Sequence, residues 1–112
     1  MRILTWNINS VRLRMPLLKK IAKACNPDII CLQETKTPDE FFPHEDVAAL
    51  GYQHTHISGM KSYNGVAVLS RVPLLKTEIH NRVKKDDCRH ISVQVQSKKL
   101  KAPVELHCLY VP

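Results

Sequence analysis

The first 33 residues change their hydrophobic period twice, and this change constrains the fold more than any other feature of the chain. Residues 2–10 begin as an apolar, β-prone run, and residues 28–33 form a second compact apolar run bounded by Pro27. Between these runs, apolar side chains recur at helical spacing up to Asn26. Strand, helix and strand over this length predict a right-handed βαβ unit with two neighbouring parallel strands.

After this unit the sequence predicts mostly strands. A short helix is expected around residues 45–50, stopped by Gly51, and loops are expected over 80–87 and 97–103. Strands are predicted over residues 52–57, 66–70, 74–79, 90–95 and 104–111. The chain has no internal repeat. We therefore expect an α/β fold with one mixed sheet and few helices to cover it.

The charge balance favours a polyanionic partner. Lys and Arg total 17 against 10 Asp and Glu, which gives a formal charge of +7. This excess points to nucleic acid ahead of a membrane surface, although a basic solvated surface without a target is the alternative. No apolar run approaches the roughly 18–20 residues needed to span a bilayer.

The four cysteines indicate a reducing, cytoplasmic location. No two of them form a C-x-x-C pair, and Met1 leads directly into a strand rather than a signal peptide. We therefore expect all four to be reduced thiols.

Polar side chains follow both predicted parallel strands. Asn7 and Asn9 end the first run and alternate, so in a strand they would point the same way, while Glu34 follows the second run. Ligands of α/β proteins collect at this carboxyl edge of the sheet. A carboxylate beside neutral oxygen ligands suits Mg²⁺ or Mn²⁺, although a surface glutamate is the commoner meaning of such spacing.

Several motifs occur in an order that resembles the exonuclease III family of apurinic/apyrimidinic endonucleases, within the endonuclease/exonuclease/phosphatase superfamily. The specific ones are Thr-Trp-Asn-Ile-Asn-Ser-Val-Arg at 5–12 and Leu-Gln-Glu-Thr-Lys at 32–36. Weaker matches lie at 64–71, 88–91 and 109–112. The resemblance therefore extends along the whole chain.

The resemblance implies roles for matching residues. Glu34 corresponds to the family's metal-binding glutamate, Asn7 to an asparagine that reaches the metal site or its water, and Asn9 to a nearby polar position that contacts phosphate. Tyr110 corresponds to an active-site tyrosine that contacts the scissile phosphate, and Arg89 to an arginine near the DNA backbone. The alternatives are a strand-end tyrosine and an exposed loop cation.

One position departs from the family pattern. Cys88 stands where a glycine is usual, which puts the local turn and the direction of Arg89 in question.

The resemblance also implies what surrounds this segment. The family fold is a DNase I-like four-layer α/β sandwich, of which residues 1–112 would supply about the N-terminal half of a single domain. The family's Asp/His pair that activates water belongs to its second half, and these 112 residues hold no Asp-x-Asn motif. We therefore expect weak or no activity from this chain alone. We also expect an open apolar sheet face that invites the other half or self-association.

The implied function is Mg²⁺-dependent (or Mn²⁺-dependent) hydrolysis of phosphodiester bonds at abasic sites in DNA repair, with 3′→5′ exodeoxyribonuclease activity. The partner would be DNA, either a duplex with an abasic site or a 3′ end. The alternatives are a non-catalytic DNA-binding module or truncated remnant, and a related phosphatase or RNA nuclease on the same scaffold.

Overall fold

The predicted strand–helix–strand unit is present in the structure, a computed structural model that describes residues 1–81 and 87–111. Strand β1 spans Ile3–Asn7, helix α1 spans Met15–Cys25, and strand β2 spans Ile29–Gln33. The two strands pair in parallel over their full length. The predicted βαβ unit is therefore confirmed.

The end of α1 shows why the chain can return so quickly to the sheet. Asn26 adopts the left-handed conformation, with φ 48°, and its backbone N–H donates to the carbonyl of Ala22. Asparagine tolerates this conformation better than most residues, so it can end a helix where glycine is more usual.

The later elements lie close to their predicted positions. They are helix α2 at His44–Ala49 and strands β3 at His54–Ser58, β4 at Val66–Ser70, β5 at Leu74–Ile79, β6 at His90–Val95 and β7 at Val104–Leu109. A 3₁₀ turn over Asp39–Phe41 precedes α2. Residues 82–86 of the predicted loop lie outside the described residues.

The described strands form two sheets. The first has the order β1-β2-β4-β3, with β1 and β2 parallel and the other pairs antiparallel. The second has the order β5-β6-β7 and is entirely antiparallel. The prediction of an α/β fold with a mixed sheet and a helix is confirmed, whereas the second sheet was not foreseen.

Two apolar layers hold these parts together. Buried side chains of the helices, among them Leu18 and Val47, pack with Ile30 and Leu32 on one face of the mixed sheet. On the opposite face, Ile29, Cys31, Val66 and Val68 pack against Ile91, Val93, Val95 and Cys108 of the second sheet. The described chain is thus three layers: helices, mixed sheet and antiparallel sheet.

The expectation of an open inner sheet face is wrong for most of the mixed sheet. The second sheet lies over β2, β4 and β3, since β5, β6 and β7 contact those strands. Only β1 alternates between half-buried and exposed side chains, and Ile3 on its inner-facing side is 49% exposed. Self-association through a bare sheet face therefore loses its main physical basis.

All four cysteines are free: Cys25 is exposed, whereas Cys31, Cys88 and Cys108 are buried. The contact with Cys108 and burial between the sheets both raise the pKa of the Cys31 thiol above its ordinary value. Among the described residues, no helix is both long enough and apolar enough to cross a bilayer.

Candidate metal and phosphate site

The site is built around the loop that leaves β2. Glu34 and Lys36 both have left-handed backbones, with φ 54° and 53°. The carbonyl of Glu34 accepts a hydrogen bond from the Ser10 N–H at 2.9 Å, and the Thr35 N–H donates to the Gly65 carbonyl at 3.2 Å. The loop is therefore clamped on both sides, which lets it hold a conformation that L-residues rarely adopt.

Gly65 is a required part of this clamp. It has φ 95°, and a Cβ built there would overlap the Thr35 Oγ1 atom. Its own N–H donates to the Cys88 carbonyl at 3.0 Å. One glycine therefore joins the Glu34 loop to the segment that carries Arg89.

The Glu34 carboxylate lies among hydrogen-bond donors. The Tyr110 hydroxyl donates to Glu34 Oε1 at 2.8 Å, across 76 residues of sequence. The pKa of Glu34 is lowered below its ordinary value, most by the hydrogen bond from Tyr110 and next by the one from Asn7. The Lys36 charge makes a smaller contribution in the same direction. The Tyr110–Glu34 hydrogen bond also raises the pKa of Tyr110, because losing its proton would place two anions side by side.

This donor set fits a hard divalent cation. A partly exposed carboxylate that stays ionised at neutral pH and a neighbouring amide oxygen are the protein ligands that Mg²⁺ uses, with water filling its other positions. Glu34 and Asn7 are therefore the residues that would hold the ion. The predicted roles of Glu34, Asn7 and Tyr110 remain predictions, but the structure brings these three side chains together.

Asn9 does not lie where strand alternation would place it. Strand β1 ends at Asn7, and Asn9 has a left-handed backbone with φ 50°. Its Oδ1 accepts a hydrogen bond from Lys36 Nζ at 2.6 Å. The prediction that Asn7 and Asn9 share one strand face is therefore wrong, because the strand ends at Asn7 and the backbone turns at Asn9 and Ser10.

Arg89 lies beside this cluster. Its backbone carbonyl accepts the Tyr110 N–H at 2.8 Å, and its Nε lies 3.2 Å from Asp87 Oδ2. Cys88 before it has φ 53°, which is a conformation that glycine adopts more easily. The chain therefore keeps the turn with a cysteine in place, and Arg89 remains next to Tyr110.

Sequence reasoning assigned no role to Lys36 or Gly65. The ammonium of Lys36 contacts Asn9 and contributes to the low pKa of Glu34. Both residues lie within the motifs at 32–36 and 64–71, so the signal was in the sequence. Their functions depend on contacts that only the folded chain makes.

The chain is similar in sequence to known proteins of one family. Residues 4–103 match the Endonuclease/Exonuclease/phosphatase family. Exodeoxyribonuclease III of Haemophilus influenzae is 42% identical over 71 residues, which cover 63% of this chain and 26% of that protein. DNA-(apurinic or apyrimidinic site) endonuclease 2 of Xenopus laevis is 36% identical over 73 residues, covering 63% of this chain and 14% of that protein. The chain thus spans about a quarter or less of the length of these relatives.

Solved structures agree on the fold. A 3′ phosphatase from Neisseria bound to a product DNA hairpin superposes with a TM-score of 0.79 at 34% identity, covering 85% of this chain and 37% of that one. An AP endonuclease from Archaeoglobus fulgidus gives 0.76 at 35% identity, again covering 85% and 37%. The described chain therefore has the DNase I-like α/β architecture of these proteins over about a third of their length.

Proposed function

The chain belongs to the endonuclease/exonuclease/phosphatase family, and we propose that it forms the metal- and phosphate-binding part of a DNA repair nuclease. The reaction is hydrolysis of phosphodiester bonds at abasic sites in base excision repair, dependent on Mg²⁺ or Mn²⁺, with 3′→5′ exonuclease activity in the cytoplasm. The observation that carries the proposal is the Tyr110–Glu34 hydrogen bond, with Asn7 against the same carboxylate.

Each residue has a distinct task in this proposal. Glu34 and Asn7 would hold the ion, which when bound would supply a Lewis acid to neutralise charge on the phosphate. Tyr110 keeps its proton because the hydrogen bond to Glu34 raises its pKa. Since that single proton is donated to Glu34 in this structure, the hydroxyl would donate to a phosphate oxygen only after turning away from the carboxylate. Arg89, adjacent to Tyr110, offers a guanidinium fork to the DNA backbone.

Residues 1–112 are, in this proposal, the N-terminal portion of a single domain. The described side chains that act on Glu34 are the Asn7 amide, the Tyr110 phenol and the Lys36 ammonium, and the Asp87 carboxylate is paired with Arg89, so none of these four is placed as a general base for water. The 112-residue chain is therefore expected to bind the ion and DNA but to cleave slowly.

Metal binding gives the most direct test. The chain should bind Mn²⁺, followed by the electron paramagnetic resonance of the free ion, and excess Mg²⁺ should displace it. Glu34→Gln should abolish the Mg²⁺-competed binding, whereas Glu45→Gln, an exposed glutamate at the start of α2, should leave it unchanged. Equal binding by both variants would overturn the assignment of Glu34.

Cleavage of a duplex with one abasic site tests the reaction itself. Slow, Mg²⁺-dependent incision that Glu34→Gln removes and Glu45→Gln retains would support the proposal. Rapid incision lost in Glu34→Ala would support the metal role but contradict the expected slowness of this chain. A DNA strand with a 3′-phosphate end serves as a second substrate. Release of that phosphate without incision at the abasic site would indicate a phosphatase on the same scaffold rather than a nuclease.

A non-catalytic DNA-binding module remains the second candidate, favoured by the net charge of +7. It would bind DNA with a strong salt dependence and show no metal-dependent cleavage at any enzyme concentration. Arg89→Ala should lower the slope of log affinity against log salt by about one if Arg89 contacts a phosphate. That slope does not separate the two candidates, so the cleavage assay decides between them.

A further inference from the structure

Three histidines meet on the outer face of the second sheet. His80 follows β5, His90 begins β6 and His107 lies in β7. One ring nitrogen from each lies within 4.8 Å of the other two. No residue of the candidate metal and phosphate site belongs to this histidine cluster.

The sheet register brings these rings together. The backbone N–H of His80 donates to the backbone carbonyl of His90 at 3.0 Å. In the next strand, His107 pairs with Ser92, which lies two residues beyond His90 on the same face of β6. The His90 Nε2 and His107 Nδ1 atoms lie 2.8 Å apart. The ring centroid of His80 lies 4.3 Å from that of His90 and 5.7 Å from that of His107.

Side-chain oxygen atoms lie beside two of the three rings, those of His80 and His107. The Ser92 hydroxyl lies 2.7 Å from His80 Nε2. Glu105 Oε1 lies 3.4 Å from His107 Nε2, and Glu78 Oε2 lies 4.0 Å from His80 Nε2. Metal-bound histidines typically hydrogen-bond through their other ring nitrogen to a carboxylate or another oxygen, and this arrangement offers such partners.

The histidine cluster and the Glu34 site lie on opposite faces of β7. Cys108 is buried between the two sheets, and Tyr110 packs on the same inner side. Because side chains alternate along a strand, His107 points to the outer side. A ligand on the cluster would therefore be independent of Glu34.

We propose that His80, His90 and His107 bind one transition-metal ion of the Zn²⁺ class. Imidazole suits Zn²⁺, Cu²⁺ and Ni²⁺, whereas Mg²⁺ prefers oxygen ligands. Zinc–nitrogen bonds of about 2.0–2.1 Å in a tetrahedron place the ligand nitrogens about 3.3 Å apart. One pair of ring nitrogens lies 2.8 Å apart and all three ligand atoms lie within 4.8 Å of one another, so small ring movements would complete the site.

The fourth ligand position would face solvent. The side chain of His107 is 42% exposed and that of His80 is 19% exposed, while His90 is buried. Three histidines with one open position are the ligand set of several catalytic zinc sites, in which the fourth ligand is water. The carboxylates of Glu78 and Glu105 would offset the charge of the ion.

The test titrates Zn²⁺ into the chelator-treated 112-residue chain against a chromophoric indicator. One equivalent should bind, and millimolar Mg²⁺ should not displace it. His80→Ala and His107→Ala should each weaken binding by more than the roughly 10–100-fold that loss of an outer partner costs. Glu105→Gln, which removes only such a partner, should weaken binding within that range.

Three controls separate this site from other sources of zinc binding. His54→Ala, in β3 of the first sheet, and Cys25→Ser, an exposed thiol, should leave the affinity unchanged. Glu34→Gln should also leave it unchanged, so the cluster and the proposed nuclease site fail or succeed separately. Co²⁺ bound in place of Zn²⁺ should show visible bands without thiolate charge transfer.

Folding of the variants is checked by circular dichroism in the absence of metal, and the partly exposed His80 and His107 are the safest positions to change. Binding that survives in the His80→Ala/His107→Ala double variant would overturn the proposal. So would a wild-type affinity no tighter than that of the double variant, which would leave only three imidazoles packed against one another.

Discussion

At the scale of single residues, the Glu34 carboxylate is kept ionised by its neighbours rather than by burial. Tyr110 and Asn7 both donate to it, so protonation of Glu34 would remove the charge that these hydrogen bonds favour. Because the pKa of folded Glu34 lies below its unfolded value, this contribution to stability is present above the unfolded pKa. It is lost as the pH falls through the lowered pKa. Metal affinity should decline in the same acidic window.

Tyr110→Phe tests this directly, because it removes the hydrogen bond that lowers the pKa of Glu34 most. The pKa of Glu34 should rise towards its ordinary value, measured by the pH dependence of its carboxyl carbon in nuclear magnetic resonance. Tyr63→Phe, which removes an exposed hydroxyl, should leave that pKa unchanged. An unaltered midpoint in Tyr110→Phe would contradict the assigned hydrogen bond.

At the scale of elements, the loop after β2 depends on one glycine and the helix depends on one apolar stripe. Gly65 admits the Thr35 side chain and joins the loop to the Cys88 carbonyl. On α1, Leu18 is fully buried against the mixed sheet, while Leu17 beside it is 45% exposed. Gly51 therefore serves as the control for a substitution at Gly65, and Leu17 as the control for one at Leu18.

Gly65→Ala should lower the free energy of unfolding by about 3 kcal/mol, because it adds a steric overlap to the cost of a left-handed alanine. Gly51→Ala has a similar φ of 104° but meets only the Arg71 side chain at 3.8 Å. It should cost only about 1 kcal/mol. Urea unfolding measures both, and equal losses would show that Thr35 does not limit the position.

Leu18→Ala should cost about 2–5 kcal/mol, since it leaves a cavity between helix and sheet. Leu17→Ala should stay within about 0.5 kcal/mol of the parent chain. The same denaturant midpoints compare them. A large loss in Leu17→Ala would mean that the exposed side of α1 packs against something in solution.

At the scale of the whole molecule, the two sheets stabilise each other through a shared apolar layer. Ile91 is fully buried there, and its ladder partner Ile79 on the edge strand β5 is 51% exposed. This layer also positions the inner face of β7, and therefore Tyr110 against Glu34. Loss of sheet packing should thus affect both stability and the site.

Ile91→Ala should lower the free energy of unfolding by about 2–5 kcal/mol. Ile79→Ala should lower it by clearly less, since half of that side chain already lies in water. Chemical denaturation gives the difference between the two. Similar losses would contradict the packing of β6 over the mixed sheet.

The residues most easily predicted were those whose role follows from local pattern. The bounds of β4, β5 and β6 agree with the sequence, because alternation or a continuous apolar run is a local property. The position of Asn9 does not follow from strand alternation, because two left-handed residues, Asn9 and Ser10, end the alternation without a strong local signal. The histidine cluster has no local signal in the sequence, because His80, His90 and His107 lie in three different segments that meet only through strand register.

The sequence by itself determined the βαβ unit, the family and the identity of Glu34 and Tyr110 as candidate site residues. Only the tertiary structure decided that β5, β6 and β7 form a separate sheet, and that this sheet covers the mixed sheet except at β1. The physical reason is that hydrophobic period reports which side chains are buried, but not which surface buries them. Tyr110 and Glu34 meet across 76 residues because that surface is a second sheet.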